Sequence, residues 1–209
     1  MSKSKYNYKV YDGKVLKKFF ENSKMYALVF LFIIGLIIGA ASVSSDSTLL
    51  KNVSDISQSY IASRAEQGIG ENCLNSLTVS MLFMLVNVFM GFSLIGYPLI
   101  IWLPLIKGLG IGALTGYLYS AFKITGLGYC VLTIYPGTVV AVVALILACN
   151  DSAEYSKNAF LKAVRGRGQF EKDETKIYLI RQFVFCVVSV ASSIVDSLFA
   201  AAFSVFFKI

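Results

Sequence analysis

Asp196 is the residue whose type and setting most invite chemistry. It stands deep within an apolar stretch, residues 177–207. An acid in mid-span costs about 2.5–3.5 kcal/mol on insertion scales, so it normally faces a partner or a water-filled cavity. A coupling or assembly role fits this, and so does a carboxyl simply bonded to Ser or Asn of another helix. Asn87, a polar residue inside an earlier apolar run, is a candidate partner. Lys107 is the only charge in residues 75–119, and Arg181 lies near the start of the Asp196 stretch. These four form the set of intramembrane polar and assembly candidates.

Catalysis finds little support in this set. The chain has no histidine, which removes the commonest general base and the commonest metal ligand. The apolar stretches hold no paired carboxylates and no metal cluster. A Ser–Lys pair using Lys107 is conceivable, but one lysine at a membrane face reads better as a topology anchor. Cys73, Cys130, Cys149 and Cys186 lack CxxC spacing, so neither a disulfide framework nor a zinc site follows. The reading is of a protein that is not an enzyme, with no catalytic residue, metal or cofactor.

The elements that must position these residues are membrane spans. Of 209 residues, 56% are hydrophobic and 15% charged, against about 25% charged in soluble domains. Residues 75–106 are 32 uncharged positions in a row. As one helix they would be about 48 Å long, well beyond a bilayer core of about 30 Å. Two helices broken near Pro98 and Pro104 solve this, with Trp102 in the interface belt and Lys107 snorkelling to the head groups. The expected fold is all-α: one membrane domain, residues 1–209, with spans near 25–43, 76–101, 104–122, 126–149 and 182–207. Pro136 predicts a kink or break in the fourth span, where neighbours must satisfy the freed carbonyls.

Small residues predict how these spans pack. Gly35 and Gly39 make a GxxxG step that lets another helix approach closely. Gly108, Gly112 and Gly116 repeat the step after Lys107, with Gly110 between them. A phosphate loop would need a strand before these glycines, so they read as a packing surface. Residues 1–24 are expected to be a basic cytoplasmic segment, in which 11–20 read either as a short amphipathic surface helix or as part of a solvated basic anchor for the first span. A cleaved signal peptide competes for this region, but the long apolar core favours an uncleaved anchor. Residues 44–74 read as a polar outer segment, with residues 67–71 a turn before the second span. Residues 151–176 read as a charged loop, with 165–168 a flexible turn. With the N-terminus in the cytoplasm and the C-terminus outside, 15 of the 19 basic residues fall on the cytoplasmic side, as the positive-inside rule requires. The net charge of +7 therefore reflects lipid contact, and nucleic acid is not expected as a partner.

The chain resembles the stage II sporulation protein M family, integral membrane proteins of endospore-forming bacteria. Four features carry the resemblance, in order: a basic segment leading into the apolar residues 28–40, Asn87 ahead of Gly91, the Gly-rich residues 104–116, and a final span holding an acid, Asp196. Residues 128–136 keep the family's proline but have neither the histidine nor the acid that often precedes it. The resemblance implies a non-enzymatic scaffold in the bacterial cell membrane at the sporulation septum. Its partners would be stage II sporulation proteins D and P, which cut peptidoglycan in septal thinning and engulfment. A homo-oligomer is compatible with this reading. From another class, a small transporter or permease-like subunit also uses Pro-broken helices and a buried acid. A continuous polar cavity reaching Asp196, with internal two-fold symmetry, would mark it.

Overall fold

The computed structural model describes residues 13–45, 47–93, 95–164 and 172–203. Every regular element among them is a helix: α1 (Gly13–Ser45), α2 (Ser47–Glu66), α3 (Ile69–Phe92), α4 (Gly96–Ile100), α5 (Trp102–Tyr129), a π turn (Cys130–Ile134), α6 (Tyr135–Val164) and α7 (Lys172–Phe203). The protein is an all-α polytopic bundle. Among the described residues, four stretches are long and apolar enough to cross a bilayer: Lys24–Val43, Ile69–Phe92, Gly96–Val164 and Asp173–Phe203.

The third of these is 69 residues long and doubles back on itself. Along a single helix, Thr115 and Tyr135 would be about 30 Å apart, yet their hydroxyls lie 3.2 Å from each other. The reversal is at Lys123, whose φ of 53° and ψ of −128° interrupt α5. That backbone conformation suits glycine at the first central position of a type II′ turn, and a side chain there is strained.

Packing fixes the direction of each pass. Gly35 faces Leu105 and Leu109, and Gly39 faces Leu109 and Ala113, so α1 and α5 are parallel. Asn87 meets Gln182 and Gly91 meets Tyr178, so α3 and α7 are antiparallel. Contacts of Tyr155 with Thr175 and of Gln182 with Ala148 set α6 antiparallel to α7. The chain therefore runs the length of the bundle five times in alternating directions. One end holds the start of α1, α4 and the approach of α6 to α7, where Lys162 pairs with Glu174. The other holds α2 and the Lys123 turn.

Several local expectations change. The second pass spans α3, residues 69–92, not 76–101. Ser93 breaks the helix with ψ of 135°, ahead of both prolines. Pro98 and Pro104 instead sit in the first turns of α4 and α5, where a missing N–H has no intrahelical partner to lose. Pro136 produces a π turn in place of a break. It cannot donate to the preceding turn, and the chain widens so that the Tyr135 N–H reaches the Cys130 carbonyl. The segment 44–74, expected on the outside, is no loop but largely the helix α2. The loop expected at 151–176 is mostly the continuation of α6 and the start of α7. Residues 13–20 run unbroken into α1, without a separate surface helix, and residues 11–12, the turn at 165–168 and residues 204–207 lie outside the described residues.

The α1–α5 seam locks the bundle. A Cβ at Gly35, Gly39, Gly108, Gly112 or Gly116 would strike a main-chain carbonyl of the facing helix. Two stripes of small residues thus let the backbones touch, which in lipid replaces the hydrophobic drive between helices. In contrast, α3 and α5 are successive passes that scarcely meet.

Candidate functional site

Asp196 sits where α2, α6 and α7 meet, and its partner is Arg64. The Arg64 Nη2 donates to Asp196 Oδ2 at 2.7 Å, and the two residues are 6% and 5% exposed. Asn87, the partner considered from sequence, lies elsewhere. Local sequence explains how the pair forms. On α2, Ser57, Ile61 and Arg64 are buried, a spacing that places them on one helix face. Asn72 of α3 donates to the carbonyls of Arg64 and Gln67 at 3.0 and 3.4 Å, closing the C-terminal end of α2. On the far side, Gly137 follows the π turn and packs against the backbone and Cβ of Asp196, leaving no room for a side chain of its own.

The electrostatics of the pair are cooperative. Arg64 Nη1 donates to the Tyr60 hydroxyl at 2.5 Å, and its guanidinium lies 5.3 Å from the centre of that ring. Burial opposes the Arg64 charge, but Tyr60 and Asp196 outweigh it and hold the guanidinium protonated more firmly than usual. Asp196 Oδ1 has no hydrogen-bond partner among the described residues. An unsatisfied carboxylate oxygen in a buried setting is costly unless something fills its place.

The pair borders a cavity of about 620 Å³ between α3 and α5. Asn75, Ser76 and Ser80 of α3 and Ser59, Ser63 and Gln67 at the α2 end line it with polar groups, and Phe83, Ile106 and Leu114 are among its apolar walls. Lys107 lines it too. Its Nζ rests 4.7 Å from the centre of the Phe83 ring, so the side chain turns into the cavity and does not snorkel to the head groups. Trp102, by contrast, is 59% exposed at the start of α5, as an interface residue should be.

Asn87 belongs to a second polar cluster nearer the other end. Its Nδ2 donates to Ser152 Oγ at 2.8 Å and to Gln182 Oε1 at 3.2 Å. Ser152 is bonded to the Tyr178 hydroxyl at 2.9 Å. Tyr178 stacks on Tyr155 with centroids 4.3 Å apart, and Phe92 meets both rings edge-on. Arg181 pairs with Asp151 at 3.0 Å, its side chain 62% exposed. This cluster ties α3, α6 and α7 together and has the character of a structural staple. The structure thus brings Asp196 and Lys107 to one cavity and sends Asn87 and Arg181 to another place. Arg64 was not found by sequence reasoning. Its signal was the spacing of Ser57, Ile61 and Arg64.

The four cysteines are free thiols. Among the described residues no three His, Cys, Asp or Glu side chains gather to hold a metal ion. No curated protein and no solved structure matches the chain. The family model described as Stage II sporulation protein M matches residues 28–204, from the middle of α1 through α7, and covers both polar clusters. The protein is thus a multi-pass membrane protein that belongs to the stage II sporulation protein M family.

Proposed function

We propose that this protein is a non-enzymatic scaffold that recruits or anchors stage II sporulation proteins D and P, peptidoglycan-degrading enzymes, at the sporulation septum for septal thinning and engulfment. The observation that carries this reading is the clamping of α2. The buried Arg64–Asp196 pair fixes one face of α2 to the bundle. The opposite face stays open and presents Asp55, Ile56 and Gln58. A rigid helix with an exposed isoleucine is a docking element more than a tether. The charge distribution supports an N-terminus in the cytoplasm, which sets α2 on the outer side with the peptidoglycan.

Affinity purification of the tagged chain from sporulating cells in mild detergent tests the proposal. Both hydrolases are expected with the protein, and Ile56→Asp should lose them while the bundle stays folded. Recovery of neither, from cells that make all three, contradicts the scaffold reading.

One observation favours a second reading, a small transporter or permease-like subunit. The cavity reaches Asp196, and polar side chains line part of it. Transport by such a site would rest on half-helices and a water path. Recovery of an ATPase or a solute-binding protein in the same purification would favour it.

A further inference from the structure

We infer that the cleft between α3 and α5 is a binding site for one phospholipid with an anionic head group. Two features of the cleft support such a ligand. First, the cavity holds an amine, Lys107, and an ion pair, Arg64 with Asp196. Its charge lining is therefore two cations against one acid, and an anion balances it. Lys107 lacks an ion pair among the described residues, with the Phe83 ring as its neighbour. Second, the cleft lies between two passes that scarcely touch, and Val79, Ile106, Ile111 and Leu114 line it. A soluble anion would leave those walls empty, whereas acyl chains continue them into the bilayer.

Depth is consistent with this. Lys107 lies five residues into α5, about 8 Å along the helix from exposed Trp102. A phosphate drawn slightly below the interface meets it there. At about 620 Å³, the cavity falls within the usual range for small-molecule sites. The inference does not depend on the scaffold proposal, since it concerns the purified chain alone.

Gly110 makes the test clean. It borders the cavity, and a Cβ built there meets nothing within 4 Å. The first carbon of a side chain at Gly110 therefore meets no neighbour, and Gly110→Leu places bulk in the cleft. The full chain, purified in mild detergent, is titrated with dioleoylphosphatidylglycerol, with dioleoylphosphatidylcholine and with inorganic phosphate. Bound ligand is counted by native mass spectrometry, and thermal midpoints of the ligand-free variants verify folding. One phosphatidylglycerol per chain is expected, with phosphatidylcholine bound at least about tenfold more weakly. Gly110→Leu should abolish that binding at an unchanged or higher midpoint, and Lys107→Gln should weaken it by about tenfold or more. Equal binding of the two lipids overturns the inference, as does phosphatidylglycerol binding that survives Gly110→Leu. Saturation by inorganic phosphate alone would overturn the assignment to a lipid.

Discussion

The two faces of α5 have opposite physics. Toward α1, Gly108, Gly112 and Gly116 lie backbone to backbone with Phe32, Leu36 and Ala40. Toward α3, Lys107, Gly110, Ile111 and Leu114 line an open cavity. Glycine occurs on both faces, yet it means close approach on one and vacancy on the other. Composition alone does not separate these. The separation lies in register: Gly108, Gly112 and Gly116 fall at four-residue steps on one stripe, while Gly110 is about 200° away from Gly108 around the helix.

Bulk added on the closed face should have the largest effect. Gly112→Leu drives a side chain into the main chain of Leu36. It should cost more than about 3 kcal/mol, seen as loss of folded protein in membranes and of a cooperative thermal transition in detergent. Normal accumulation of this variant would show the α1–α5 seam to be looser than described.

Next in size is the ion pair on the border of the open region. Arg64→Ala leaves the Asp196 carboxylate buried without its cation, and should destabilise the chain by about 3–5 kcal/mol. Arg64→Met combined with Asp196→Leu removes both charges and should regain most of the loss. Thermal unfolding of the three variants in one detergent measures this. A double variant no better than Arg64→Ala would mean that packing by the arginine stem, and not charge compensation, is what the site needs.

Smaller effects are expected at Lys123 and Gly110. Lys123→Gly relieves a positive φ at the hairpin reversal and should raise stability by about 1 kcal/mol, read as a higher thermal midpoint. Gly110→Ala on the open face meets no neighbour. It should be neutral or gain up to about 1 kcal/mol from helix propensity, where the same change at Gly112 is destabilising. Reversed signs at these two glycines would overturn the distinction between the faces.

Much of this was legible in the residues. Long uncharged runs dictated helices in a membrane, and the four-residue glycine steps marked the seam before its partners were known. Asp196 was conspicuous because a lone acid in an apolar run is expensive. Its partner was not, because Arg64 sits 132 positions away on a segment polar enough to pass for a loop. Helix α2 gains its stability from tertiary contacts of Ser57, Ile61 and Arg64 rather than from a continuous apolar face. Lys107 misled in a different way. A single lysine beside Trp102 has the pattern of an interface anchor, and only the position of Phe83 on α3 shows that it turns inward. The prolines were read as the break itself, whereas they start the helices after it.

Arg64 and Asp196 form a buried pair that holds α2 to the bundle. A charge swap tests that pairing. Arg64→Asp and Asp196→Arg singly place like charges together and should each lower the thermal midpoint sharply while leaving a cooperative transition. The swapped double variant should restore a midpoint well above either, with a coupling of at least about 1 kcal/mol. A double variant whose loss equals the sum of the singles would contradict the pairing, and with it the reading of α2 as a fixed docking helix.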